Sequence, residues 1–344
     1  MAPEEITSEW LSSMLGADVA ITGDRRIGDG LVGMNVRYEL AVPAGSDLPG
    51  SIIAKLPSDD PTSRATGIAL RNYEREVKFY AEIAPTVDIR VARCYHGAWN
   101  EADGDFVLLL EDLSPGEQGN QITGCSAEHA SRAVLELARL HGPRWADPAL
   151  ADIEFLQRRS LSDGAGLQML WTMFLPGFLT TFSKYLDADG VALLERFGAQ
   201  IPTWIEGHTL PDTVTHGDYR LDNLMFESAK GGYPVATVDW QTPGHGSASG
   251  DVSYFLGAGP LPEVRREIER NLVDKYCGAL AGYGVAVDGD EFWLQYRRDS
   301  YAGIIMSVVA SQIVGVSDRS EAMFAAMASR HTQHALDLGA EGLL

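Results

Sequence analysis

The chain has 344 residues, with 48 acidic against 27 basic side chains and a formal net charge of -21. That length exceeds the roughly 250–300 residues at which a single core stops growing, so two lobes with a cleft between them are expected. A composition that is 45% hydrophobic and 22% charged belongs to a folded chain, and the acidic excess counts against nucleic acid and anionic membranes as partners, since either would meet a repulsive field.

In chain order, Met1 to Trp10 carries Glu4, Glu5 and Glu9 where an export signal would need basic residues. No export is expected. Asn35 to Val42 alternates Val36, Tyr38, Leu40 and Val42 against Arg37 and Glu39, which predicts a half-buried strand. Ser51 to Leu56 predicts a second strand after a turn-rich stretch, and Pro57 to Thr66 reads as a polar loop. Tyr73, Val77, Tyr80 and Ile83 then recur at helical spacing until Pro85, and Phe106 to Leu110 is a short apolar strand.

Beyond residue 119 the pattern turns helical. Ser126 is a candidate N-cap for a helix whose face is Ala130, Ala133, Val134, Leu137, Ala138 and His141, closed by Gly142-Pro143. The segment from Val214 to Trp240 alone reverts to strands. Gly303 to Val316, the most apolar stretch, is interrupted by Ser307, Ser311 and Gln312 and falls short of the ~20 residues that span a bilayer, so it reads as a buried helix. Cys94, Cys125 and Cys277 form no C-x-x-C pair, which fits a reducing, cytoplasmic compartment.

The chemistry concentrates in Val214-Thr-His-Gly-Asp-Tyr-Arg-Leu-Asp-Asn-Leu-Met-Phe226 and the following Tyr233-Pro-Val-Ala-Thr-Val-Asp-Trp240. A turn at Lys230-Gly231 folds the two apolar runs into an antiparallel hairpin and places Asn223 beside Val238 or Asp239. An amide oxygen and a carboxylate then converge, with Asp218 five residues upstream of Asn223. Such an oxygen site suits magnesium, which takes one or two carboxylates and completes its shell with water and phosphates. One carboxylate left to orient a hydroxyl and accept its proton makes this a phosphoryl-transfer pattern. Each acid alone would pass as a turn former; H-x-D-x-x-x-x-N followed by strand, turn, strand and Asp is what carries the reading.

The first lobe supplies complementary parts. Gly28-Asp-Gly30-Leu-Val-Gly33 fits G-x-G-x-x-G, but the next residues alternate as a strand, so the glycines sit at a bend between strands instead of opening a helix. An ordinary turn would use glycines too; a bend over phosphates is the functional alternative. Lys55 is the single charge in Ile52-Ile53-Ala54-Lys55, pointing either to a sheet edge or into a cleft. Glu76 falls on the inward helix face and Glu74 on the flank, so Lys55 and Glu76 are expected to pair, with Glu74 as the second choice.

Together these residues resemble the aminoglycoside phosphotransferase and choline kinase-like superfamily, a branch of the protein-kinase-like fold, and the strings HGDYRLDNLMF, VDWQ and GDVSYFL are most similar to its ecdysteroid-kinase-like groups. The resemblance covers about Ile27 to Leu256. It implies an α+β bilobal fold: an N-terminal antiparallel sheet with one helix over residues 1–110 that binds nucleotide, a hinge at 111–119, and a larger helical lobe over 120–344. It further implies Asp218 as catalytic base, Asn223 and Asp239 as magnesium ligands, and Lys55 with Glu76 holding the phosphates of ATP or GTP under Gly28, Gly30 and Gly33. The backbone from Glu111 to Leu113 would hold the purine, His216 would be structural, and Asp251 would brace the catalytic loop. Trp240-Gln241 stands where Phe-Gly follows the metal-binding Asp in protein kinases. Only eleven residues separate Asp239 from Asp251, which leaves little room for an activation segment.

The function expected is therefore phosphoryl transfer from a nucleoside triphosphate to a hydroxyl of a small molecule. The competing reading is a nucleotide-binding scaffold without turnover. Trp171, Phe174 and Phe178 at helical spacing, with Phe182, Trp204 and Trp293, read as core before pocket, and Asp337 and Glu341 belong to no carboxylate cluster of the kind a polycationic acceptor would need.

Overall fold

A computed structural model describes residues 1–28, 32–157, 163–314 and 317–344. Helix α1 (Ser8–Leu15) starts where the Thr7 side chain accepts the Trp10 amide and stops at Gly16 in the left-handed region (φ 69°). Strands β1 (Ala20–Ile27), β2 (Gly33–Ala41) and β3 (Ser51–Pro57) follow. Helices α2 (Pro61–Ala69) and α3 (Asn72–Lys78) come next, α3 running into a π-helical turn at Phe79–Ile83. Strands β4 (Cys94–Trp99) and β5 (Phe106–Glu111) complete an antiparallel sheet of order β1-β2-β3-β5-β4.

The period of two divides this sheet chemically. Val36, Tyr38, Leu40, Ile52, Ala54, Leu56, Val107 and Leu109 pack on one face with Ile6 and Leu11 of the N-terminal segment. Leu108 and Leu110 face the other way, into a core shared with Tyr73, Phe79 and the helical part. Lys55, between Ala54 and Leu56, must therefore project from the second face. The polar loop expected over Pro57 to Thr66 is a correction: α2 begins at Pro61. Its signal was a cap, not an apolar stripe, because the Asp60 side chain accepts the Ser63 amide and Pro61 takes the first turn.

The remainder is β6 (Glu117–Gln118), α4 (Ala127–His141), α5 (Gly164–Phe182), α6 (Ala188–Phe197), α7 (Ile201–Glu206), β7 (Asp212–Thr215), β8 (Leu224–Ser228), β9 (Gly231–Thr237), β10 (Gly244–Ser247), α8 (Ala248–Ala258), α9 (Pro262–Leu280), α10 (Gly289–Arg298), α11 (Tyr301–Ala310) and α12 (Asp318–Asp337). The α+β class is as expected. Ser126 caps α4 by accepting the His129 amide. In the β8–β9 hairpin Leu224 faces Thr237 and Phe226 faces Val235, the anticipated register, although an irregularity after Phe226 moves the turn to Ala229–Lys230. Gly231 and Gly232, at φ 98° and 123°, supply backbone that other residues rarely adopt. Strand β10, pairing with β7, extends the strand-bearing segment beyond Trp240, where sequence periodicity had ended it.

Trp171, Phe178 and Phe182 of α5 are buried with Phe197, Trp204 and Tyr301 in an apolar cluster of the helical part, so they are core. Among the described residues no helix is long and apolar enough to cross a membrane.

Candidate active site

Lys55 of β3 and Glu76 of α3 form the expected pair: the ammonium lies 2.8 and 2.7 Å from the two carboxylate oxygens. It also reaches Asp239 Oδ1 at 2.6 Å, so one cation joins the sheet, the helix and the segment after β9. Burial opposes the charge on Lys55, but the two carboxylates outweigh it and raise its pKa. Two carboxylates sharing one cation separate in acidity: burial raises Glu76, whereas Lys55 overcomes burial at Asp239 and lowers it. Glu74, the second choice, is instead held by Arg71 and Lys78.

Asp239 sits in the left-handed region (φ 65°), a strain of roughly 1 kcal/mol for a non-glycine, which aspartate tolerates better than most residues. Its neighbour Trp240 stacks on Phe79 at 3.8 Å and donates its amide to Glu76 Oε1 at 3.2 Å. The α3 end and the Asp239 segment are thus fixed to each other, a role for Trp240 that spacing did not reveal.

The loop from His216 to Asn223 is held from behind by α8. Asp251 in its first turn accepts the amides of His216 (2.6 Å) and Gly217 (2.9 Å), and His141 Nε2 lies 3.4 Å away. Burial would raise the Asp251 pKa; His141, His216 and the bonded amide lower it instead. Gly217, at φ 77°, makes the turn. His216 Nε2 contacts the Val238 carbonyl at 3.1 Å, tying this loop to the strand before Asp239.

Asp218 projects from this loop half-buried. Asn223 donates its amide nitrogen to the Asp218 carbonyl (2.8 Å) and to Oδ2 (3.1 Å), while the Asn223 carbonyl receives the Val238 amide at 2.9 Å. Asn223 therefore stands opposite Val238, one residue from Asp239, and with its side-chain nitrogen committed its amide oxygen remains as a donor toward a metal. One amide oxygen and one acidic carboxylate fit a hard, oxygen-seeking cation that keeps waters or phosphates in its shell, and do not fit the nitrogen and sulfur preference of zinc.

Two contacts at Asp218 went unread in the sequence. Tyr254 of α8 donates its hydroxyl to Oδ1 at 2.7 Å, and Arg220 donates Nε to Oδ2 at 3.1 Å. The available signal for Tyr254 was its place three residues after Asp251, which puts both on one helix face. Arg220 gave none, because its reach depends on a loop conformation.

The remaining predicted positions are placed as follows. Gly33 lies against Lys55: a Cβ there would stand 3.3 Å from the Leu56 carbonyl and 3.7 Å from Lys55 Cε. Gly28 has φ 68°; Gly30 lies outside the described residues. The Glu111 amide is bonded to the Arg93 carbonyl (2.8 Å), and the carbonyl of buried Leu113 receives the Gly116 amide (3.0 Å). The Glu111 side chain is fixed by Arg90 at 2.7 Å and by the Tyr233 hydroxyl, and Asp112 by Arg37 and Ser51, both at 2.7 Å.

A family model described as the phosphotransferase enzyme family matches residues 53–285, a span that includes Lys55, Glu76, Asp218, Asn223 and Asp239. Among solved structures, a Plasmodium vivax ethanolamine kinase is similar over 94% of this chain and 84% of its own, with 10% identity and a TM-score of 0.55. A choline kinase from Cryptosporidium parvum is similar over 94% and 91%, with 11% identity and a TM-score of 0.54. The APH(2")-IIa chain of a streptomycin-ATP ternary complex covers 90% and 93%, with 13% identity and a TM-score of 0.53. At these identities the likeness is one of fold, the kinase-like fold that the motifs resembled. No curated protein matches the sequence.

Proposed function

The chain belongs to the phosphotransferase enzyme family, and from that premise we propose that it transfers the γ-phosphoryl group of ATP or GTP to a hydroxyl of a small molecule. The observations that carry the reading are the Asn223–Asp218 hydrogen bonds, the pairing of Asn223 with Val238 next to Asp239, and the Lys55 ammonium joining Glu76 to Asp239, from elements far apart in sequence. Residues 1–110 act as the nucleotide lobe, 111–119 as the hinge and 120–344 as the acceptor lobe. The hinge backbone of Glu111 to Leu113 takes the purine, and Gly28 and Gly33 lie toward the phosphates.

Asp218 orients the acceptor hydroxyl and takes its proton as the new O–P bond forms, a contribution typically worth 10²–10⁴-fold. Lys55, kept charged by Asp239 and Glu76, holds phosphate oxygens in a fixed position. Asn223 and Asp239 are the residues that would hold magnesium, which when bound neutralises charge on the phosphates. Asp251 and Tyr254 keep the Asp218 carboxylate in place.

Asp218→Asn tests this. Magnesium-nucleotide binding, measured by calorimetry, is expected to remain, while transfer to acceptors falls by about 10²-fold or more. Full transfer in that variant would remove Asp218 from the role.

A further inference from the structure

Arg220 stands between two carboxylates. Its side chain is only 13% exposed; Nε donates to Asp218 Oδ2 at 3.1 Å and Nη1 to Asp222 Oδ2 at 2.6 Å. Asp222 is itself buried, and its other oxygen receives the Gln121 backbone amide at 2.9 Å and the Arg319 guanidinium at 3.4 Å. Gln121 is fixed in turn, because its side chain accepts the Leu221 amide and donates to the Ala258 carbonyl, both at 2.9 Å. The segment after the expected hinge thus grips the loop beside Asn223 and holds Asp222 against Arg220.

The hydrogen bonds at Asp218 show what that hold does. A carboxylate offers about four acceptor positions. Oδ1 takes the Tyr254 hydroxyl, and Oδ2 takes Arg220 Nε and the Asn223 side-chain nitrogen. Among the described residues, this leaves one position on Oδ1 for an incoming hydroxyl. An arginine beside a carboxylate favours a two-pronged pairing that occupies both oxygens, and here such a pairing would fill that position. With Nη1 committed to Asp222, Arg220 gives Asp218 a single prong.

We propose that Asp222 is a positioning residue for the reaction: it holds Arg220 off the second oxygen of Asp218 and so keeps that carboxylate open to the acceptor hydroxyl. The inference deepens the proposed phosphotransferase function and rests on it. Asp222 acts through Arg220 and touches no reacting atom. A largely buried guanidinium shared by two anions goes over to the remaining one when the other is neutralised. Removing the Asp222 charge therefore turns Arg220 from an orienting donor into a plug. Asp222 also receives the Gln121 amide, which by itself would make it a brace for the loop. The two roles differ in one consequence: a plug needs the arginine, and a brace does not.

The experiment is a double-mutant cycle on the purified full chain: wild type, Asp222→Asn, Arg220→Gln and the two together. Turnover is followed as nucleoside diphosphate formed from magnesium-ATP or magnesium-GTP with water and with glycerol as acceptors, nucleotide affinity by calorimetry, and folding by thermal melts. Asp222→Asn, whose amide oxygen can still accept the Gln121 amide, is expected to lose about tenfold or more in kcat with nucleotide affinity within about threefold of wild type. In the Arg220→Gln background the same substitution should cost less than about twofold, because the group that would plug Asp218 is gone. Where Asp222→Asn does not fold, Asp222→Ser, which also removes the charge and keeps a short acceptor, takes its place in the cycle. An equal loss from Asp222→Asn in both backgrounds, or no loss in either, overturns the inference while the phosphotransferase reading stands. Turnover of neither nucleotide by wild type, or turnover unchanged in Asp218→Asn, counts against both.

Discussion

His208 shows at single-residue scale how buried charge couples this fold to pH. Its Nε2 lies 2.9 Å from Asp299, which is fully buried. Burial alone would push the imidazole pKa down, but Asp299 and the Ile205 carbonyl outweigh it and raise it to about 9. The folded state therefore holds its proton more tightly than the unfolded chain, whose histidine titrates near 6.5. Below pH ~6.5 both states are protonated and the stabilisation is complete; as pH rises through ~9 it is lost. Its size is roughly 2 kcal/mol, after allowance for a ring that is partly open to solvent. Denaturant unfolding of wild type and His208→Gln at a series of pH values should show a gap of that size at pH 6 that closes by pH 10. A gap constant with pH would refute the assignment.

At the scale of elements, the site is a set of backbone positions imposed by strands and helix ends. The Lys55–Glu76 pair and the Asn223–Val238 register were legible because period two, period 3.6 and a turn fix which residues face which. Helix α2 was not, because its residues are largely exposed and only Asp60 and Pro61 mark its start. Arg220 and Trp240 were not, because their contacts depend on loop and left-handed backbone conformations that periodicity cannot encode. The link from α8 to the His216–Asn223 loop carries its own prediction. In Asp251→Asn one of the two oxygens that receive the His216 and Gly217 amides becomes an NH₂ group, and a buried amide is left without its acceptor. The loop should lose its fixed position while Lys55, Glu76 and Asp239 are untouched. We expect kcat to fall by about tenfold or more with nucleotide affinity within about threefold of wild type, measured by steady-state kinetics and calorimetry. Equal loss of both would mean that Asp251 holds the whole cleft and not the loop alone.

Across the whole molecule, the sheet part and the helical part meet through a charged seam: Lys55 with Asp239, Glu76 with the Trp240 amide, and the Phe79–Trp240 stack. A magnesium-nucleotide bound at that seam, as proposed, would contact both parts and so stabilise the folded chain as a unit. At a hundredfold excess over its dissociation constant a ligand adds about 2.7 kcal/mol, and for a chain of this length that moves the melting temperature by roughly 4 °C. If Asp239 and Asn223 hold magnesium as proposed, metal chelation should abolish most of the shift, because the Asp239 carboxylate would then repel the phosphates. Asp239→Asn should behave as chelation does, because it removes the charge proposed to hold the metal, whereas Lys55→Met should lose the shift and also lower the starting melting temperature. In that variant Glu76 is left buried without its counter-ion, a penalty of about 3 kcal/mol. Differential scanning fluorimetry of the three proteins with and without chelator separates these outcomes. A shift that survives both chelation and Asp239→Asn would place the nucleotide elsewhere than the seam.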